Sequence, residues 1–286
     1  MKFGVVFPQT QIGADPIVLR DFAQAAEGMG YDHLLAYDHV LGANPERPGW
    51  SGGRPYNYED MFHEPFTLFS WMAGFTETIG FMTGVLILPQ RQTALVAKQA
   101  TQLDLLSGGR FRMGIGIGWN EVEYTALGCD FKTRGARVEE QIALLRELWT
   151  KELVTFDGQF DTVEDAGINP LPDKPIPIWI GGYADVVLRR AGRLSDGYLA
   201  QEGPAEDAKP MTDAFLAYAE EAGRAGQVGL HTRLRTEHTP ESEWEALVAG
   251  WQEIGATELA VYPHGDTLDE YLARLRRFKE MFGVSN

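Results

Sequence analysis

The sequence is poor in cysteine and in positive charge, and it has no long apolar run. Its 286 residues include one cysteine, Cys129, which excludes an intramolecular disulfide and any zinc site built on several thiolates, and is expected of a reducing, cytoplasmic setting. A lone cysteine of this kind is ordinarily a small filler rather than a nucleophile. No stretch reaches the roughly 18 consecutive apolar residues that a membrane helix needs, and the short run before Pro8 reads as a first strand rather than a signal peptide. Lys and Arg number 25 against 41 Asp and Glu, a formal charge of -16. Nucleic acid and anionic membrane surfaces are therefore not expected partners, since both require clustered cations. The six histidines form no H-x-H or H-E-x-x-H pattern, and there is no G-x-S-x-G elbow, so neither a metal centre nor a serine hydrolase is expected.

What is present is ample apolar material, 44% hydrophobic with 11% aromatic, enough for one large core or two small ones. It is arranged as short β-rich runs alternating with amphipathic stretches from end to end, the pattern of a parallel α/β protein. Strands are predicted at 2–7, 33–37, 80–88, 110–117, 177–180, 197–200, 229–235 and 259–262, with helices at 16–29, 65–76, 93–106, 136–149, 184–192, 208–222, 240–254 and 268–282. A hairpin insertion is predicted after helix four, with strands at 154–156 and 159–163 around Asp157-Gly158. Eight βα units in this length match a single (β/α)8 TIM barrel covering residues 1–286; a doubly wound open sheet is the runner-up.

A closed parallel barrel gathers its functional loops at the C-terminal ends of the strands, which directs attention to Asp38, 88–91, 116–121 and Gly181-Gly182. Strand two ends in Tyr37-Asp38-His39. A carboxylate beside an imidazole suits proton transfer near neutral pH, although Asp at such a position also serves simply as a turn or cap residue. Strand four carries Gly114, Gly116 and Gly118 on alternate positions, followed by Trp119, Asn120 and Glu121. Glycine in a strand admits the close approach of a flat ligand, here over Gly116 and Gly118, or of a neighbouring backbone, and both readings stay open. The motif is not a dinucleotide-binding fingerprint, because no helix is expected directly after it. Strand five ends in Gly181-Gly182 and runs into a helix, where free N–H groups suit a phosphate or form an ordinary turn.

Several ordered segments together carry a resemblance: Asp38-His39, Thr83 through Arg91 running into 94–99, Leu105 to Arg110, Gly118-Trp119-Asn120-Glu121, and Ile180-Gly181-Gly182 with 191–198 downstream. With these the chain resembles the luciferase-like monooxygenase superfamily, and within it the coenzyme F420-dependent branch. The resemblance implies a deazaflavin or flavin ring at the barrel mouth, packed on a bulged third strand with a non-proline cis peptide carried onto Gly84-Val85. It implies ring contacts from Asp38, His39 and Asn120, a phosphate at Gly181 and Gly182, and a homodimer. The F420-dependent sugar-phosphate dehydrogenases carry a Glu in a longer strand-four loop and a Trp soon after the His. Here that loop is shorter and positions 40–43 lack an aromatic, so sugar-phosphate oxidation is not assigned.

The expected activity is hydride transfer between C5 of F420 and a small organic substrate, with His39 handling the proton and Asp38 beside it. The loop 42–61, with Trp50, Tyr56 and Tyr58, is a candidate lid or a plain surface excursion. The F420 tail is acidic and this chain is too, so Arg91, Lys98, Arg134 and Arg137 are the cations expected to compensate. The alternatives are an FMN-dependent monooxygenase on the same barrel and a barrel that binds ligands without redox chemistry.

Overall fold

The computed structural model describes residues 1–48, 50 and 55–283. In chain order the elements are β1 Lys2–Val6, α1 Pro16–Gly28, β2 His33–Ala36, α2 Pro65–Ala73, β3 Gly80–Thr83, β4 Leu86–Ile87, α3 Thr93–Leu106, β5 Phe111–Gly116, α4 Glu121–Ala126, α5 Arg134–Leu148, β6 Val154–Asp157, β7 Thr162–Ala166, β8 Ile178–Gly181, α6 Asp185–Leu194, β9 Gly197–Leu199, α7 Ala205–Glu221, β10 Gly229–Arg235, α8 Trp244–Glu253, β11 Glu258–Tyr262 and α9 Leu268–Phe282. Local chemistry marks many of the ends. Asp15 accepts from the Ile17 N–H ahead of Pro16 at the start of α1, and Gly283 closes α9 at φ 63°, the N-terminal cap and C-terminal glycine that helices favour.

The parallel strands run in the order β3-β2-β1-β11-β10-β9-β8-β5-β4, and β3 also pairs with β5. Because β3 and β4 are successive pieces of one stave, the described residues form a closed barrel of eight staves, as the alternation predicts. Period-two alternation sorts the side chains. Phe81, Phe111, Met113, Ile178, Leu230 and Leu259 face the helices as part of the main core. Val6, Leu35, Tyr37, Met82, Trp179, Leu199, Ala260 and Tyr262 form a second cluster that fills the barrel. Some staves have glycine where the filling would otherwise clash: a Cβ on Gly197 or Gly229 would lie 2.4 Å from the Trp179 ring.

The stave predicted as one strand over 80–88 is broken. Met82 pairs with Arg112 before the break, and Leu86 and Ile87 pair with Ile115 and Gly116 after it. Between them the Gly84-Val85 peptide is cis. The alternate glycines of β5 and the turn beyond it receive this bulge. A Cβ on Gly114 would lie 2.0 Å from the Thr83 carbonyl oxygen, one on Gly116 would lie 2.5 Å from Val85, and one on Gly118 would lie 2.8 Å from Ile87. The close approach of a neighbouring strand, one of the two readings of these glycines, is present at all three positions. Gly114→Ala is accordingly expected to cost about 3 kcal/mol, since its clash is with backbone that cannot rotate away. Denaturant unfolding of the variant measures this, and an unchanged midpoint would show that the bulge relaxes freely.

Two sequence expectations change. The expected loop after strand four contains the short helix α4, capped by Asn120, so a helix does open directly behind the glycine strand. The hairpin after α5 has its second strand at Thr162–Ala166 rather than 159–163. The cause is Glu140 on α5, whose carboxylate accepts the N–H groups of Gln159, Phe160 and Asp161 at 2.7–2.8 Å and draws the chain into a wider turn than Asp157-Gly158 alone would make. The apolar face of α2 is largely taken up inside the chain's own core by Phe66, Leu68, Phe69 and Met72, leaving Trp71 40% exposed. No helix among the described residues is long and apolar enough to cross a membrane.

Candidate active site

His39 follows β2 and enters the mouth of the barrel with its side chain 10% exposed. Its Nδ1 lies 3.0 Å from Oε2 of Glu123, a residue on α4 that is itself 1% exposed. The other carboxylate oxygen of Glu123 accepts the N–H groups of Val40 and Leu41 at 2.6 and 3.2 Å. One buried carboxylate therefore shapes the backbone after His39 and also orients the ring. With Glu123 accepting, Nδ1 carries the proton and Nε2 is the ring atom free to exchange one. Three aromatic rings enclose the imidazole: Phe62 at 4.8 Å, Tyr56 at 5.4 Å and Trp119 at 5.5 Å between centroids. Burial raises the Tyr56 phenol above its ordinary range, so it stays a neutral hydroxyl at physiological pH.

Asp38 and His39 are adjacent in sequence but do different work. Asp38 is 2% exposed, and its carboxylate turns toward the bulged stave, accepting the Ile87 N–H at 2.9 Å and an Arg91 guanidinium N–H at 2.7 Å. Arg91 also reaches Glu64 at 3.2 Å. Asp38 is thus a brace between β2 and the segment after the cis peptide, and the pairing of Asp38 with His39 that adjacency suggests does not form. Asn120 uses both ends of its amide within the chain: Oδ1 accepts from Val122 and Nδ2 donates to the Leu41 carbonyl.

The other cations expected to face an acidic tail also have internal partners. Arg134 lies 3.7 Å over the Phe131 ring, Arg137 donates to Cys129 Sγ and the Arg91 carbonyl, and Lys98 donates to the Asn169 carbonyl.

At the end of β8, Gly182 has φ 138°, a conformation open to glycine and strained for other residues. α6 follows from Ala184, which offers no side-chain cap; the Val187 N–H is taken by the Ala184 carbonyl, and those of Asp185 and Val186 are the ones that could meet an anion. Gly181 faces Val85, which would lie 2.8 Å from an added Cβ. The bulge therefore joins the strand-three, strand-four and strand-five sites predicted separately.

Of the predicted loop, Trp50 and Tyr56 reach this mouth. Tyr58 N–H donates to the Ala43 carbonyl, and Trp50 lies 5.9 Å from Trp119. Residues 49 and 51–54 of the proposed lid lie outside the described residues.

Glu123 was not singled out in the sequence, yet a signal existed. Asn120-x-x-Glu123 has capping-box spacing, which marks a helix start and a carboxylate near it. What spacing does not show is that Glu123 reaches across to the chain after β2 instead of back to its own cap.

At the opposite end of the barrel, His33, His231 and Glu258 come together from β2, β10 and β11, their potential ligand atoms within 4.8 Å of one another. The two His Nε2 atoms are 3.1 Å apart, and Glu258 is ion-paired to Arg112. A guanidinium in the inner shell opposes a metal cation, and we read the group as a buried polar layer.

The fold is a (β/α)8 barrel, with His39, Asn120 and the Gly181-Gly182 turn at the C-terminal ends of its strands. The family model for luciferase-like monooxygenases matches residues 1–281. An uncharacterised protein of Mycobacterium tuberculosis is 34% identical over 216 residues, 73% of this chain and 74% of the relative. An F420-dependent glucose-6-phosphate dehydrogenase of Intrasporangium calvum is 34% identical over 212 residues, 71% of this chain but 58% of the relative. Among solved structures, an F420-dependent secondary alcohol dehydrogenase in complex with an F420–acetone adduct superposes with a TM-score of 0.81 over 100% of this chain and 99% of that one, at 16% identity, a likeness of fold. The chain belongs to the luciferase-like monooxygenase family and is an oxidoreductase of that class.

Proposed function

We propose that the protein is a coenzyme F420-dependent oxidoreductase that exchanges a hydride with a small organic substrate at the barrel mouth. The observation that carries this reading is the His39–Glu123 pair, enclosed by Tyr56, Phe62 and Trp119 beside the bulged stave. It is a proton-handling group in an aromatic, largely dry pocket.

The residues present fit a ring-and-phosphate cofactor. The uncapped turn at Gly181-Gly182 and the start of α6 would hold the phosphate. The bulge at Gly84-Val85 and the aromatic walls would bound the ring, and the buried Gln9 Oε1 has no hydrogen-bond partner among the described residues. A deazaflavin bound there supplies a two-electron carrier that exchanges hydride at C5. Around it the chain provides position and proton control. Glu123 holds His39 in one tautomer, and His39 Nε2 gives or takes the proton that accompanies the substrate's change in oxidation state. Asp38 and Arg91 brace the stave on which the cofactor would rest, which makes them positioning residues. Trp50 and Tyr56 exclude water that would otherwise compete.

A second reading, a reduced-FMN monooxygenase, is favoured by one observation. Arg91, Lys98, Arg134 and Arg137 are engaged inside the chain, so a cofactor with a single phosphate would be easier to accommodate than one with an acidic tail. Titration of the purified protein with F420, FMN and reduced FMN, followed by tryptophan quenching at low and physiological salt, decides between them. Selective F420 binding at micromolar or lower concentration is expected. Selective binding of reduced FMN would transfer the assignment to oxygenation, and binding of none would remove the redox reading. We read the chain as one barrel domain acting in the cytoplasm, and sizing in solution tests the homodimer that the family resemblance implies.

A further inference from the structure

The mouth holds a second polar group that the His39–Glu123 pair does not use. His231, Arg233 and Arg235 fall on alternate positions of β10. The last two rise against tyrosines from neighbouring staves. Arg233 lies 5.9 Å from the Tyr37 ring centroid and Arg235 lies 4.4 Å from that of Tyr262, while the two tyrosine rings are 6.1 Å apart. Arg235 is paired with Glu202 at 3.2 Å. Arg233 sits deep in the barrel, forms no ion pair among the described residues, and is still partly accessible. The Tyr37 hydroxyl lies beside this guanidinium but makes no hydrogen bond of regular geometry.

Two partly buried guanidinium groups and one exposed carboxylate, Glu202, leave this site with a net positive charge, inside a protein whose overall charge is -16. A buried charge without a counter-ion is costly, and a bound anion removes that cost. The free guanidinium has the planar fork that fits a carboxylate or phosphoryl group, and the Tyr37 O–H is a further donor. Tyr56 connects the two halves of the mouth, touching the His39 ring at 5.4 Å and lying within electrostatic reach of Tyr37, Tyr262, Arg233 and Arg235.

We propose that Arg233 and the Tyr37 hydroxyl anchor an anionic oxygen group of the substrate, so that the enzyme acts on small organic oxyanions whose reacting carbon is held toward His39. This rests on the reading of the mouth as the substrate site, and it identifies the substrate class. No tail or cofactor phosphate is needed to explain the position of Arg233, because the uncapped turn at Gly181-Gly182 lies on a different stave.

The test uses the full chain at constant ionic strength and follows the thermal midpoint against benzoate, phenyl phosphate, inorganic phosphate and, as a neutral control, benzamide. Wild type is expected to show a saturable rise with at least one of the anions and none with benzamide. Which anion acts distinguishes carboxylate from phosphoryl chemistry. Arg233→Met is expected to weaken that binding at least tenfold, and Tyr37→Phe about threefold or more. Equal anion affinity in wild type and Arg233→Met overturns the proposal, as does the absence of any saturable anion response in wild type. If Arg233→Met does not fold, Tyr37→Phe decides, and unchanged anion affinity in that variant overturns it. Displacement of the bound anion by F420 would assign the site to the cofactor and also overturn it. The F420 titration of wild type is read separately, so a failure of the cofactor assignment is distinguishable from a failure of the anion site.

Discussion

Glu123→Ala is expected to lower turnover by about 10²-fold or more while changing the cofactor dissociation constant by less than about threefold. The carboxylate is 1% exposed, and its removal leaves His39 Nδ1 without its acceptor and two backbone N–H groups, those of Val40 and Leu41, without theirs. An imidazole that loses its orienting partner samples the wrong tautomer and the wrong ring position. Glu123→Gln separates the two effects, because a glutamine oxygen can still accept from Val40 and Leu41 but no anion faces the ring. Its turnover is expected to fall about tenfold with the melting temperature nearly retained. Steady-state kinetics with saturating cofactor, together with a cofactor titration of each variant, gives the comparison. If both variants keep turnover within threefold of wild type, Glu123 is a loop clamp and nothing more.

Acidification is expected to destabilise the fold through the polar layer at the other end of the barrel. Burial, more than any neighbouring charge, holds the imidazoles of His33 and His231 well below the usual histidine range, with Arg112 adding to the effect at both. Both stay neutral in the folded chain where the unfolded chain would take up protons, near pH 6.5 and below. Their contribution is therefore fully present above that pH and lost as pH falls beneath it. Between pH 7.5 and 5.5 the loss is up to about 1.4 kcal/mol for each ring and about 2.7 kcal/mol for the two, or about 5 °C in melting temperature. Carboxylates titrate in wild type and variant alike. The measurement is thus the difference in pH dependence between wild type and His33→Gln/His231→Gln, with the variant expected to show the shallower fall. Parallel profiles would mean that the pair takes up protons in the folded state.

Much of the architecture was legible because it depends on local pattern. Period-two apolar runs followed by amphipathic stretches and glycine stops are properties of neighbouring residues, and all eight barrel strands appear at or near the predicted places. The short helix α4 was missed because six residues carry too little periodicity to stand out from a loop. The hairpin register was missed because Glu140, from the preceding helix, pulls the turn wider.

The candidate site divides along the same line. The sequence by itself determined which residues stand at the mouth, since a strand end in a parallel barrel is a functional position whatever its partners: His39, Asn120, Gly181 and Gly182 all lie there. Tertiary structure alone decided whom they meet. His39 pairs with Glu123 across 84 residues of chain rather than with the adjacent Asp38, because successive residues leaving a strand point to opposite faces. Asp38 turns instead to Arg91, 53 residues on, and the alternate glycines of β5 receive the neighbouring stave. His33 and His231 meet across 198 residues because closing the barrel brings alternate strand positions into one layer, and no spacing along the chain encodes that closure.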